Sequence, residues 1–143
     1  MYKTLLSVQL VTPRRELFGA KVTSVLLPGE KGPFQVLPGH ANFLTTLATG
    51  IVELELDNAS HCELYSISGG YAEVDHDTVT ILADTCEQAA EIDVPRAEQA
   101  YDKALAELRN PKLEEEMRDF WERKFERARI RLMVAAMKSA QKS

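Results

Sequence analysis

The sequence predicts an all-β domain, a sandwich or flattened barrel, followed by an antiparallel hairpin of two α-helices. From Tyr2 to about Thr85, short segments alternate apolar and polar residues, which is the two-residue period of half-buried strands. Turn residues separate these segments about every ten positions, a spacing typical of sandwiches and barrels. After Glu91 the apolar period lengthens to that of a helix.

The clearest predicted strand covers residues 51–57, in which Val52, Leu54 and Leu56 share one face and the intervening carboxylates share the other. Residues 78–85 repeat this alternation. The remaining predicted strands are, in order, 3–11, 21–27, 34–37, 43–47, 62–68 and 71–74. Turns are predicted at Pro28-Gly29, Pro38-Gly39, Thr49-Gly50, Asp57-Asn58, Gly69-Gly70 and 75–77.

Two helices are predicted after this domain. The first begins after Asp93, whose side chain suits an N-cap, and has Pro95 in its first turn. It ends near Asn110, because Pro111 disfavours helical geometry in the residue before it. The apolar stripe of the first helix is Val94, Ala97, Tyr101, Ala104 or Leu105, and Leu108, and that of the second is Leu113, Met117, Trp121, Phe125, Ala128, Leu132 and Ala135.

The expected domain organisation follows from these patterns. We expect the β-sandwich at residues 1–86, a linker at 87–92 and the helical hairpin at 93–143. Neither helical stripe is wide enough to form a core by itself, so the hairpin must rest on the β-domain or on another protein.

The composition is that of an ordinary globular protein, with 143 residues, 45% hydrophobic and 27% charged. Apolar runs are far shorter than the roughly 20 residues that span a bilayer, and the N-terminus has no secretory pattern. We therefore expect a cytoplasmic protein. Cys62 and Cys86 have no zinc-type spacing, so we expect two free thiols in buried or half-buried positions.

The charge is divided unevenly along the chain, with a net charge of -8 for residues 1–111 and +3 for residues 112–143. Five of the nine cations of residues 112–143 lie close together in the second predicted helix: Arg123, Lys124, Arg127, Arg129 and Arg131. Three interpretations stay open: a solvated helix face, a nucleic-acid contact and docking into an acidic groove of a partner. The solvated face predicts ion pairs within the helix, namely Glu114 with Arg118, Asp119 with Arg123 and Glu126 with Arg129.

Catalysis is disfavoured by the distribution of reactive residues. The three histidines, His40, His61 and His76, lie in separate segments, and none has a nucleophile motif beside it. The glycine-rich loop PGEKGPFQVLPGH at 28–40 also lacks the G-K-[ST] of a phosphate-binding loop, and Pro33 removes a backbone donor. We therefore expect a protein that is not an enzyme.

Three blocks of sequence carry a specific family resemblance. They are LPGEKGPFQVLPGHANFLTTL at 27–47, SGGYAEV at 68–74 and VTILAD at 79–84, and a predicted helical hairpin follows them. Together they resemble the epsilon-subunit family of the bacterial-type rotary, proton-translocating ATP synthase, over essentially the whole chain.

The resemblance implies a non-catalytic rotor subunit of the central stalk. The sandwich would bind the gamma subunit and sit on the ring of c subunits, coupling its rotation to gamma. The C-terminal hairpin would be mobile and would extend into the alpha/beta catalytic head, where it blocks ATP hydrolysis. The protein would then be peripheral, on the cytoplasmic face of an inner, plasma or thylakoid-type membrane. Outside the resemblance, an adaptor that binds nucleic acid or an acidic protein through the basic helix is the alternative.

The resemblance also implies site residues. Glu30, Lys31 and Gly32, with His40, correspond to the end of the sandwich on the c-ring side, where Glu30 and Lys31 would make polar contacts. For His40, support of the neighbouring loop is an equal alternative.

A second implied site would bind regulatory ATP, although no cofactor is required. Residues 92–97 match the I/L-D-x-x-R-A motif with which some members bind ATP, and the residues concerned are Ile92, Asp93, Arg96 and Ala97. Arg123, Arg127 and Arg131 align only loosely with the basic positions of the family. Asp93 acting as an N-cap, with Arg96 in solvent, is the competing interpretation.

Overall fold

The computed structural model describes residues 4–56 and 61–142, which form two compact units that divide after Gln88. The first unit holds eight strands: β1 Leu6–Val11, β2 Glu16–Val22, β3 Ser24–Gly29, β4 Gly32–Val36, β5 Phe43–Glu55, β6 Cys62–Asp75, β7 Thr78–Ala83 and β8 Cys86–Gln88. The second holds a 3-10 helix at Ala89–Glu91 and the helices α1 Val94–Arg109 and α2 Glu115–Lys142.

The eight strands form a β-sandwich, which confirms the predicted fold class. The strand order is β2-β1-β7-β6-β5-β3-β4, and β8 pairs with β6. Every pair is antiparallel except β1 with β7. Alternate residues of the strands meet in one buried apolar cluster, to which β1 contributes Leu6, Val8 and Leu10 while Ser7 and Gln9 face solvent.

The strands β5 and β6 are much longer than the sequence predicts. The turns predicted at Thr49-Gly50 and Gly69-Gly70 are wrong, because these residues lie inside β5 and β6. In β6 the glycines mark the point at which the strand changes its neighbour, from β8 at Tyr65–Ile67 to β7 at Gly70–Asp75. Both glycines have positive φ, 101° for Gly69 and 140° for Gly70, so they bend the strand instead of ending it.

Other strand boundaries also differ from the prediction. The single strand predicted at 21–27 is the end of β2 and most of β3, which meet around Thr23. The strand β2 was missed because its burial hardly alternates, and β8 because three residues carry too little pattern. The predicted start of the first strand at Lys3, the last strand position Asp57 and the Asp57-Asn58 turn lie outside the described residues.

The segment 87–92, predicted as a linker, has regular structure. Glu87 and Gln88 belong to β8, which pairs with β6, and Ala89–Glu91 form the 3-10 helix of the second unit. This short helix packs against α2, and Ile92 is buried.

The helical unit confirms the predicted start and end of α1. Asp93 caps the helix, since its Oδ1 accepts the backbone N–H of Arg96 at 3.1 Å, and the helix ends before Asn110. The α1 and α2 helices pack against each other, with the rings of Tyr101 and Phe125 4.8 Å apart. The predicted stripe of α2 was incomplete: Leu113 precedes the helix, Met117 is exposed, and the stripe omitted the buried Ile130 and Val134.

The bend in β6 yields a prediction about stability. A Cβ atom at Gly70 would overlap the carbonyl oxygen of Leu82 in the neighbouring strand, whereas a Cβ atom at Gly32 would meet open space. Both residues have positive φ. We expect Gly70→Ala to lower the free energy of unfolding by about 3 kcal/mol or more, against about 1 to 2 kcal/mol for Gly32→Ala, in urea titrations. Equal losses would show that backbone conformation alone, and not the close approach to Leu82, sets the cost.

Candidate functional site

The turn between β3 and β4 is an exposed polar tip. Glu30 and Lys31 occupy its two central positions, between the last paired residues Gly29 and Gly32, and both are exposed. The backbone N–H of Glu30 donates to the carbonyl of Thr46 in β5 at 3.3 Å. The tip is therefore held to the sheet by its backbone, which leaves the two charged side chains available to a partner.

The segment around His40 is locked to the turn between β6 and β7. The backbone N–H of Gly39 donates to Asp77 Oδ1 at 2.7 Å, and that of His76 donates to Asn42 Oδ1 at 2.9 Å. His76 and Asp77 have φ of 48° and 61°, the left-handed pair that a tight hairpin turn requires. These two hydrogen bonds join the loop at 37–42 to the turn at 76–77. We call the two joined loops the braced corner.

His40 itself packs on the start of β5. Its ring centroid lies 5.3 Å from that of Phe43, which in turn meets Phe34 edge to face at 5.4 Å. Its backbone N–H donates to the carbonyl of Leu37 at 3.1 Å. The structure thus attaches His40 to the braced corner and Glu30 to Thr46 of β5.

One surface of the sandwich was missed by the sequence analysis. Paired residues of β5, β6, β7 and β1 share its outer face and form two rows: Leu44, Glu73, Thr80 and Gln9, and beside them Thr46, Tyr71, Leu82 and Val11. On this face Leu44, Tyr71 and Leu82 are 69%, 54% and 51% exposed. We call these three residues the outer-face patch. The sequence does hold one indication of this patch. The alternation of residues 78–85 places Leu82, an apolar residue, on the solvent-facing side of the predicted strand.

The residues of the proposed ATP motif play structural parts in this conformation. Ala97 is fully buried and Ile92 is buried, so both serve packing. Asp93 Oδ1 accepts the hydrogen bond of the helix cap, while the Arg96 side chain is exposed. Of the second-helix arginines, Arg123 pairs with Asp119 at 3.3 Å, Arg127 is exposed and Arg131 is partly buried.

Two cations of the basic stretch of α2, Arg123 and Arg129, pair with acids of the same helix. The pairs of Arg123 with Asp119 and of Arg129 with Glu126 confirm the prediction. The pair predicted between Glu114 and Arg118 is wrong, because Glu114 precedes the helix, and Arg118 meets Glu115 at 3.6 Å instead. These pairs favour the solvated-face interpretation over a nucleic-acid surface.

The pair of Glu126 with Arg129 is a bidentate ion pair. Arg129 Nε donates to Glu126 Oε2 at 3.0 Å, and an Arg129 terminal nitrogen donates to Oε1 at 2.6 Å. The hydrogen bonds from Arg129 lower the pKa of Glu126, and those to Glu126 raise the pKa of Arg129.

The cysteines are free thiols, Cys62 half-buried and Cys86 buried, as expected. Cys86 lies opposite Ile67, five positions along β6 from Cys62, which is roughly 16 Å and far beyond disulfide reach. Burial, the negative charges of Glu53 and Glu55 and a hydrogen bond to Glu53 raise the pKa of the Cys62 thiol. Cys62 is therefore a poor nucleophile.

Two negative findings apply to residues 4–56 and 61–142. No group of three or more histidine, cysteine or carboxylate side chains there is arranged to hold a metal ion. Neither helix of the described chain is long and apolar enough to cross a membrane.

Comparison with known proteins identifies similar chains. Residues 5–89 match the family model of the ATP synthase delta/epsilon chain, beta-sandwich domain. The ATP synthase epsilon chain of Citrifermentans bemidjiense is 42% identical over 130 residues, which cover 91% of this chain and 93% of the relative. That of Geobacter sulfurreducens is 42% identical over 139 residues, which cover 96% and 97%.

A solved structure has the same fold. A chain in the cryo-EM structure of the Euglena gracilis mitochondrial ATP synthase, OSCP/F1/c-ring in rotational state 1, is similar with a TM-score of 0.80. The two chains are 27% identical, and the match covers 93% of this chain and 81% of the other.

The contact between Glu126 and Arg129 makes stability depend on pH. Because the pKa of Glu126 is lowered by folding, the contribution of the pair is complete above its ordinary value of 4.5 and is lost as the pH falls through the lowered value. We expect Glu126→Gln to cost about 0.5 kcal/mol at neutral pH, since the pair is partly exposed. In thermal unfolding followed by helical circular dichroism, this deficit should shrink as the pH falls below 4.5 and vanish once the pH lies well below the lowered pKa.

The matched control is Glu122→Gln, which changes an exposed glutamate of the same helix. It should leave the pH dependence unaltered. A deficit of Glu126→Gln that persists unchanged at low pH would contradict the ion-pair explanation.

Proposed function

Because the chain belongs to the ATP synthase delta/epsilon chain family, we propose that it is a non-catalytic subunit of the central stalk of a rotary ATP synthase. The proposal is supported by relatives that match the chain almost from end to end. It is also supported by the similar chain in the OSCP/F1/c-ring assembly of the Euglena gracilis mitochondrial ATP synthase. The chain would be peripheral to the membrane, on its cytoplasmic face.

The sandwich is suited to transmit rotation between the c ring and the gamma subunit. Its strands form one continuous hydrogen-bonded sheet around one core, and Gly39 and Asn42 brace two of its loops. Such a body resists bending, which torque transmission requires. The exposed tip at Glu30 and Lys31 is our proposed contact with polar groups of the c ring, with Gly32 shaping the turn. His40 would support the braced corner at the same side.

The helical unit is suited to regulation. It is a compact unit of its own, and its buried residues include the small side chains of Ala97, Ala104 and Ala128. Small side chains bury little apolar area, so their packing surfaces separate at modest cost. We infer that the helices leave their resting position and extend into the alpha/beta head, where they inhibit ATP hydrolysis. The ion pairs within α2 hold at either position, because both partners lie on one helix.

Removing the helical unit tests the proposed division of labour. A chain ending at Gln88 keeps every strand of the sandwich, including β8. In a reconstituted complex it should still assemble with gamma and the c ring and support ATP-driven proton pumping, while ATP hydrolysis rises several-fold. Unchanged hydrolysis would remove the inhibitory part of the proposal, and loss of pumping with intact assembly would remove the coupling part.

The match at 92–97 leads us to propose that regulatory ATP binds the helical unit. The exposed Arg96 guanidinium would pair with phosphate, while Asp93 retains the helix cap through Oδ1 and offers its second oxygen to a polar group. Arg123 would be able to assist only by leaving its ion pair with Asp119, whereas Arg127 is exposed and Arg131 is partly buried.

Titration calorimetry tests the nucleotide proposal. We expect saturable heat with a Kd below about 1 mM ATP, and at least about a tenfold loss for Arg96→Ala, because a charge-assisted hydrogen bond is removed. Arg109→Ala, at the other end of α1, is the matched control and should bind as the unaltered chain does. Equal effects of the two variants, or no heat at millimolar ATP, would contradict the proposal.

A further inference from the structure

The position of the charged tip between β3 and β4 depends on how β3 runs beside β5. The two strands pair in register up to Leu26 with Glu53, and the next pair is Gly29 with Leu47. Between these pairs β3 has two residues, 27–28, whereas β5 has five, 48–52. A regular ladder of hydrogen bonds cannot span so unequal an interval, so another contact has to fix the position of β3 there.

That contact is made by Pro28 and Gly50, which are both buried. A Cβ atom at Gly50 would lie 2.4 Å from Cβ and 3.1 Å from Cγ of Pro28, so the proline ring rests directly on the glycine backbone. Proline has no N–H to offer a ladder, and glycine has no side chain. The two residues therefore suit a place where the ladder is interrupted and the strands approach closely. We call this contact the proline seat.

We propose that the proline seat is a positioning contact, which sets the place and angle at which the charged tip meets the c ring. This inference rests on the proposed function and adds two residues that act on the tip without touching a partner. Glu30, the first charged residue of the tip, follows Pro28 by only two positions. A fixed Pro28 therefore fixes the base from which the tip projects.

The hairpin of β3 and β4 is too tightly packed to absorb a displacement of Pro28. Pro28 is paired with Pro33, and Gly29 is paired with Gly32. A Cβ atom at Gly29 would lie 2.9 Å from the carbonyl oxygen of Gly32 and 2.9 Å from the ring of Phe34. Close-packed groups of this kind transmit a displacement instead of absorbing it. A shift at Pro28 therefore reaches the tip.

The distances show how far the tip would move. Ordinary contacts of a Cβ atom begin at 3.4 Å, so a methyl group at residue 50 requires a separation larger by about 1 Å. Gly50 is held by β6 through its regular pair with Ile67, so the proline has to move away from β5. The hydrogen bond from Glu30 N–H to the carbonyl of Thr46 in β5 is already 3.3 Å long. The movement would lengthen it beyond bonding distance.

The experiment measures binding of the full chain, in complex with the purified gamma subunit of the same organism, to the purified c ring. Gly50→Ala should weaken this binding about tenfold, because the charged tip is misplaced. Its Kd for gamma alone should stay unchanged, since the altered residue is buried. Val79→Ala, which shortens a core residue of β7, is the control for lost stability and should leave both affinities unchanged.

A rescue variant tests the steric explanation. Without the proline ring, the nearest atom of residue 28 to a Cβ atom at residue 50 is its Cα at 3.9 Å, which is an ordinary contact. Pro28→Gly combined with Gly50→Ala should therefore recover most of the c-ring affinity that Gly50→Ala loses. Pro28→Ala is the matched control: it keeps the Cβ atom that lies 2.4 Å away and should not rescue.

Thermal unfolding checks that the variants fold. If Gly50→Ala does not fold, the comparison is between Pro28→Gly alone and Pro28→Gly combined with Gly50→Ala. The methyl group of the double variant fills space that the proline ring has left, so this variant should bind the c ring more tightly than Pro28→Gly alone. Equal affinities of these two variants would overturn the inference.

The outcomes separate this inference from the proposed function. If the unaltered complex does not bind the c ring, both are overturned. If it binds and a folded Gly50→Ala binds equally well, the positioning role is overturned while the stalk function stands. An equal loss for Val79→Ala, or equal rescue by Pro28→Gly and Pro28→Ala, would also overturn the positioning role, because the loss would not come from the proline seat.

Discussion

The bend of β6 at Gly69 and Gly70 is the constraint on which the first unit depends. An unbroken strand serves β8 with one half and β7 with the other only if its backbone turns where no side chain obstructs it. The positive φ of both glycines and the tight approach of Gly70 to Leu82 meet that requirement. The close register of β6 and β7 then sets both the buried core below and the pattern of exposed residues above.

The two units obtain order from different kinds of interaction. In the sandwich, the strand pairs and the bonds between loops join residues far apart in sequence, such as Gly39 and Asp77. In the helical unit the best defined polar contacts are local, as in the cap of Asp93 and the pair of Glu126 with Arg129. Long-range contacts suit a body that must keep its shape, whereas locally ordered helices keep their polar contacts when their packing surface changes.

The candidate sites were predicted unevenly by the sequence. The helix cap of Asp93 and two of the three ion pairs predicted for α2 follow from spacing, because residues three or four apart are neighbours on a helix surface. The outer-face patch does not follow from spacing, because its members come from three strands. The sequence also does not predict that His40 packs against Phe43 or that Gly39 bonds to Asp77. These contacts depend on how two loops approach each other.

The sequence by itself determined the fold class, the start of α1 and the family. Each of these depends on local period, on capping chemistry or on short motifs, which are properties of neighbouring residues. Only the tertiary structure decided that glycines at 50, 69 and 70 lie within strands, and which exposed apolar residues stand side by side. In a sequence, a glycine pair is equally compatible with a turn and with a bend inside a strand. The pairing with neighbouring strands determines which of the two forms.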